Sequence, residues 1–313
     1  MGHDQIVINR SYNKALKNIG LEIMKKPDFL IIGAQKTGTT WLWEMIKQHP
    51  ETDLPKIKEI HYFGSSEIHH KGRDWYFNHF KDVNPMKLTG EASTTNLYDY
   101  VPFWHNPESF IKYDMSLPSI PELILKEMPD VKIIISLRDP VKRAISAHLH
   151  LLRANPDLSP FDGLTKIAQE KPKMRILEYG YYAKYIKFWL NFIESERIYF
   201  SIFEEDVLKS SDESVQNIYK FLNIDPTFKP QNLKQKKNKS WTWTRVVTRY
   251  STKRIPFISS NPYLGRFCDK FDVLGKYAVK EEDVEFLRSK YLPEKPELER
   301  LLSRNLDLWT YNK

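Results

Sequence analysis

At 313 residues, with 41% apolar and 13% aromatic side chains, the chain can bury a sizeable core in one large domain or two small ones. Its single cysteine, Cys268, rules out an intrachain disulfide framework and a cysteine-based zinc site, which fits a reducing compartment. The net charge of +8 is concentrated: nine Lys/Arg and no acid lie between Pro226 and Ser260, so that stretch carries +9 and the remainder about −1. Such a field attracts a polyanion, a nucleotide or an acidic substrate, although a run of charge is more often a solvated loop.

The N-terminus (MGHDQIVINR) has no secretory apolar region, and Ile6 stands where a myristoylation signal needs Ser or Thr. No run approaches the roughly 18 apolar residues of a membrane span, so a soluble, cytoplasmic protein without a membrane partner is expected. Ser11–Lys25 has Leu16, Ile19 and Ile23 at helical spacing and forms an extension, residues 1–26, ahead of one domain over 27–313.

Asp28–Ile32 is an apolar strand, followed by the loop Gly33–Gly38 and a helix that runs to about Gln48, where His49-Pro50 stops it. A short aromatic helix follows at Trp75–Phe80 and a brief strand at Leu88–Glu91. Tyr100–Pro121 holds four prolines and reads as an irregular connection. The unbroken apolar run Val131–Leu137 predicts a strand buried on both faces, with Pro140 in the first turn of the next helix. Tyr181–Phe192 (helix), Ile198–Phe203 (strand) and Asp212–Leu222 (helix) continue the alternation. A basic loop at 226–260 comes next, then helical segments over Glu281–Asn305 broken by Pro293 and Pro296. This order predicts a P-loop-like three-layer α/β domain, a central parallel sheet flanked by helices.

The sequence PDFLIIGAQKTGTTW, Pro27–Trp41, joins a buried strand to a glycine-bounded turn and a helix. Backbone N–H groups at such a turn and the positive end of the helix make a site for an anionic oxygen cluster. The spacing is G-x-x-x-x-G, but Thr39-Thr40 replaces the Lys-Ser/Thr of a nucleoside triphosphate loop, and the lysine sits earlier, at Lys36. That position suits a single 5′ group better than a triphosphate. After the Ile133–Ser136 strand, Leu137-Arg138 stands where a Mg²⁺-holding acid would be expected.

This strand–KTGTT–helix unit resembles the 5′-phosphosulfate loop of sulfotransferases that use 3′-phosphoadenosine 5′-phosphosulfate (PAPS). KEIHYF (Lys58–Phe63) resembles the acceptor segment of their carbohydrate, heparan-sulfate-like branch, and KIIISLRDPVKRAIS (Lys132–Ser146) resembles the 3′-phosphate motif. Tyr179–Trp189 and Ile198–Leu222 are similar to the second half, so the likeness runs from about Pro27 to Trp309. The missing anchor fits a bacterial-type soluble member.

The resemblance implies PAPS as donor, no metal, and a small-molecule or glycan acceptor receiving the sulfuryl group on a hydroxyl or amine. It implies that Lys36 stabilises the leaving phosphate while Thr37, Gly38, Thr39 and Thr40 hold it. Arg138 and Ser146 would take the 3′-phosphate, with Lys142 and Arg143 as nearby alternatives. Glu59 is the implied general base, given a pKa raised by burial or tuned by Lys36 and Lys58; in the small-molecule branch a histidine fills that role, and His61 shares a face with Glu59 if the segment is extended. Asp139 is better suited to a helix N-cap than to catalysis. Trp241 and Trp243, interleaved with cations, favour a nucleotide-covering loop in which Lys239, Ser240 and Arg245 touch the donor. The branch often has a lysine where Gly90-Glu91-Ala92-Ser93 has Ala92, which weighs against an acidic heparan-type acceptor.

Tyr179–Tyr185 is expected in the core rather than as a sugar-stacking wall. His148 and His150 face different ways on a helix and make a poor metal pair. Two other functions fit less well. A kinase with a degenerate loop lacks the GK[ST] and the Mg²⁺ acid, and a nucleic-acid binder using the basic stretch shows no recognised RNA- or DNA-binding signature.

Overall fold

The computed structural model describes residues 25–155, 157–233, 241–253, 262–271, 273–275, 277 and 279–309. The expected N-terminal helix at Ser11–Lys25 lies almost entirely outside them.

Four strands, β1 (Phe29–Gly33), β2 (Gly90–Ala92), β3 (Lys132–Leu137) and β4 (Ile198–Ile202), form one sheet in the order β2-β1-β3-β4, every pair parallel. The principal helices around it are α1 (Thr39–Lys47), α2 (Pro140–Ala154), α3 (Tyr182–Trp189), α4 (Ser211–Leu222) and α5 (Trp243–Ser251). Side chains alternate across each strand, and here both faces are apolar. Phe29, Ile31 and Ile134 meet Trp41, Leu42, Met45 and Ile46 of α1 and Val215, Ile218 and Leu222 of α4 on one side. Leu30, Ile32, Ile133, Ile135 and Leu137 meet Val141 and Ala144 of α2 and Ile186 and Trp189 of α3 on the other. This is the expected three-layer arrangement. Each buried Ile or Leu contributes about 1.5–3 kcal/mol, so the continuous apolar strands are what hold the sheet between its helices.

The carboxyl ends of β1 and β3 therefore point the same way, and the loops that follow them converge at one edge of the sheet. Tyr179, Tyr182 and Tyr185 are buried, as expected of a core face. The closing helical segments divide at the prolines as expected: the helix Glu281–Tyr291 gives way to the 3-10 turn Leu292–Glu294 and then to the helix Lys295–Leu302, with Pro293 and Pro296 each in a first turn, where the missing N–H is harmless. Two expectations need correction. Residues 243–251 of the expected basic loop are helical, with the Thr242 hydroxyl capping the Arg245 amide. The segment 54–63 is not a regular strand, because His61 takes a left-handed backbone, φ 59°.

Candidate active site

The turn after β1 is tied to the neighbouring strand β3. The Ala34 amide donates to the Ser136 carbonyl at 2.7 Å, and the Ser136 hydroxyl donates to the Thr37 carbonyl at 2.8 Å. Thr37, fully buried, donates its hydroxyl to the Ala34 carbonyl at 2.6 Å, closing the loop on itself. Lys36 sits at the apex with φ 70°, and Gly38 caps α1 at φ 99°. A Cβ at Gly38 would lie 2.7 Å from the Phe203 ring, so conformation and space both demand glycine there. The first turn of α1 contains no acid and its N-cap makes no side-chain hydrogen bond, so the helix's own residues leave its positive end open toward the loop.

Arg138, the first residue past β3, lies over the Phe203 ring at 4.9 Å. Its Nη1 donates to the Lys36 carbonyl at 3.3 Å, and its Nε stands 3.8 Å from Glu204. Asp139 is the N-cap of α2 as expected, its Oδ1 accepting from the Val141 and Lys142 amides at 2.9 and 3.2 Å. Arg143 is not available to a ligand: it is fully buried and donates to the Ile176 carbonyl. Ser146 is half-buried on α2, and residues 146, 150 and 153 recur at helical spacing on one face.

Glu59 and His61 meet without sharing a strand face. His61 Nε2 lies 3.5 Å from one Glu59 carboxylate oxygen, while Lys58 Nζ donates to the other at 2.6 Å. The left-handed turn at His61 brings its ring back, where Nδ1 is 2.9 Å from the Thr95 hydroxyl and Trp104 packs edge-on at 4.9 Å. Burial works to raise the Glu59 pKa, but the His61 hydrogen bond and the Lys58 ammonium outweigh it and bring it to about 2. Of the two expectations for this carboxyl, raised by burial or tuned by neighbouring lysines, the second holds through Lys58, and the group is held firmly ionised.

Lys36 stands in the same electrostatic neighbourhood. Burial, with the Arg153 guanidinium adding to it and Glu59 opposing, lowers its pKa to about 8. Two further members, His150 and Arg153, carry no local signal of membership, because the turn between β1 and α1 and the end of α2 are remote along the chain. Burial, then Lys36 and Arg153, lowers His150 to about 4. Arg153 Nη2 donates to His150 Nδ1 at 3.2 Å, which assigns the ring proton to Nε2.

The basic stretch reaches this cluster through Trp241. The guanidiniums of Arg245, Arg153 and Arg249 lie 4.0, 5.6 and 5.6 Å from its ring. Arg245 therefore sits near the site, whereas Lys239 and Ser240 lie outside the described residues. No helix among the described residues is long and apolar enough to cross a membrane.

Comparison with known proteins bears on the family and the fold. Mouse heparan sulfate glucosamine 3-O-sulfotransferase 5 is 29% identical over 219 residues, covering 67% of this chain and 57% of its own length. The bovine bifunctional heparan sulfate N-deacetylase/N-sulfotransferase 2 is 29% identical over 215 residues, 64% of this chain and 22% of its own. The chain thus spans little more than half of the first of these relatives and under a quarter of the second. A sulfotransferase from Alicyclobacillus acidocaldarius superposes with a TM-score of 0.61 at 24% identity over 91% of this chain and 98% of that one, which supports the common fold. The sulfotransferase domain family model matches residues 26–257, most of the chain including every described residue of the candidate site, and the chain belongs to that family.

Proposed function

We propose that this protein transfers the sulfuryl group of PAPS to a hydroxyl or amine of a carbohydrate or related small molecule. The carrying observation is the convergence of Lys36, at the apex of the loop, with the Lys58–Glu59–His61 segment, which puts a cation and an ionised carboxylate at one place. The curated relatives named above are heparan sulfate sulfotransferases, which favours a sugar acceptor.

The residues fit such a donor. The loop has the glycine conformation and acid-free helix start that an anion needs, and Arg138 Nε is buried without a hydrogen-bond partner among the described residues. Bound there, PAPS would supply an activated sulfuryl group whose departure leaves a phosphate oxygen bearing charge. Lys36, Thr37, Gly38, Thr39 and Thr40 would hold the 5′ end, and Arg138 with Ser146 the 3′-phosphate. Arg245, and Lys239 with Ser240 from the same stretch, would cover the nucleotide.

Lys36 would stabilise the charge developing on the leaving oxygen as the acceptor oxygen or nitrogen forms its bond to sulfur and the sulfur–oxygen bond to phosphate breaks. Glu59 would take the acceptor proton. A carboxylate held near 2 is a weak base, but in sulfuryl transfer, as in phosphoryl transfer, the acceptor becomes acidic only once its bond to sulfur is forming. His61, 3.5 Å behind Glu59, can share that proton. Neutral His150, with its proton on Nε2, would offer a hydrogen bond rather than a charge.

The test is incubation with PAPS and a panel of amino sugars, uronic-acid oligosaccharides and phenols, read by mass spectrometry for gain of one sulfuryl group. Transfer to a sugar supports the proposal. Hydrolysis of ATP with Mg²⁺ and no transfer from PAPS would replace it with the kinase reading.

A further inference from the structure

We infer that Glu91 is a positioning residue for sulfuryl transfer, setting the aim of Glu59 and His61 from beneath them; this rests on the function proposed above. Glu91 lies in the middle of β2, opposite Leu30 of β1, and is fully buried. A carboxylate in that place is costly, since desolvating a charge without a cationic partner disfavours folding. Burial accordingly raises its pKa, opposed by its hydrogen bonds from Ser93 and Tyr76.

Every partner of Glu91 leads to the acceptor segment. Oε1 accepts from the Ile60 amide at 3.3 Å, the residue between Glu59 and His61. The same oxygen accepts from the Ser93 hydroxyl, and Ser93 Oγ in turn accepts from the His61 amide at 2.8 Å. On the other side the Ala92 amide donates to the Lys58 carbonyl at 3.2 Å. The main chain is thus tied to β2 on both sides of Glu59, while the Glu59 side chain itself stays accessible. Oε2 accepts from the Tyr76 hydroxyl at 2.8 Å, and Tyr76, also fully buried, stacks on Tyr62 at 4.8 Å. Glu91 therefore has both oxygens engaged, one by the active segment and one by the aromatic core. It makes Glu59 and His61 extensions of the rigid sheet rather than of a loop.

Such an arrangement acts on turnover, because misplacement of about 1 Å at a reacting group costs roughly 100-fold. The test compares Glu91→Gln and Ser93→Ala with the parent by amide hydrogen exchange and by steady-state transfer from PAPS to a glucosamine-containing oligosaccharide. The inference expects faster exchange over Lys58–Phe63 with unchanged exchange over Gly33–Thr40. It also expects kcat down by roughly 10- to 100-fold, with donor KM and the thermal shift from adenosine 3′,5′-bisphosphate within about twofold of the parent. A role confined to stability would leave kcat of the folded variants unchanged. Unaltered exchange at 58–63, or losses in kcat and nucleotide binding that run in parallel, overturns the inference. Should Glu91→Gln fail to fold, Ser93→Ala decides on the same readouts. Should the parent transfer nothing to any sugar, the function proposal fails, and the exchange comparison still decides whether Glu91 holds the segment.

Discussion

The Lys36 carbonyl accepts a hydrogen bond from Arg138 Nη1 at 3.3 Å, so the loop cation and the guanidinium expected at opposite ends of one nucleotide are mechanically joined before any ligand arrives. Phe203 reinforces the link, with Arg138 over its ring at 4.9 Å and Gly38 against its edge.

Replacing Lys36 by alanine should lower sulfuryl transfer by about 100-fold or more, the scale of losing one charge-stabilising donor at a transition state. Binding of adenosine 3′,5′-bisphosphate should weaken far less, since the turn is held by Ala34, Thr37 and Ser136 rather than by the lysine side chain. Single-turnover kinetics beside calorimetric titration separate the two. Equal turnover in variant and parent rejects the assigned role.

The pKa of Lys36 gives the sign of an alkaline limb. In the ligand-free protein its ammonium loses its proton near pH 8, so kcat/KM for the donor should fall as pH rises through about 8. A bound anion favours the charged lysine, which moves the limb on kcat to higher pH. Lys36→Arg should abolish the limb over the same range. A parent profile flat from pH 7 to about 10 contradicts this.

Arg138→Ala should mainly raise donor KM, because the 3′-phosphate is remote from the reacting sulfur. It also removes the tie to the Lys36 carbonyl, so a smaller loss in kcat accompanies it. Desulfo donors lacking the 3′-phosphate should bind variant and parent alike; discrimination retained in the variant would place that phosphate elsewhere.

Much of this site was readable from contiguous sequence. The turn Gly33–Gly38 and the N-cap Asp139 are local patterns, fixed by φ and by neighbouring amides, and both stand where expected. What escaped is what tertiary packing brings together. Arg153 meets Lys36 because the end of α2 passes the apex of a loop more than a hundred residues earlier, and no spacing rule reports that. For Glu59 both burial and tuning by Lys58 were readable from the chain, whereas the His61 hydrogen bond was not, because it depends on the left-handed turn at His61. The helix Trp243–Ser251 was hidden under its cations: Trp, Thr and Val are weak helix formers, and packing against the helix Pro262–Lys270 overrides that, as when Thr242 donates to the Cys268 carbonyl at 3.3 Å.

Gly38→Ala should be destabilising by about 1–3 kcal/mol, combining a left-handed backbone with a methyl 2.7 Å from Phe203. The same variant should lose nucleotide binding, because relief of that contact moves the turn. Adding Phe203→Leu should recover part of the stability and none of the backbone strain. A Gly38→Ala protein with unchanged Tm and unchanged affinity contradicts the assignment of this turn as the anion cradle.

The most direct test of the central claim is calorimetric titration of adenosine 3′,5′-bisphosphate in EDTA, beside adenosine 5′-monophosphate and ATP. The bisphosphate should bind one-to-one without metal, at least about tenfold more tightly than either competitor, and Arg138→Ala should erase that preference. Equal affinity for all three, or binding only of ATP and only with Mg²⁺, would contradict it.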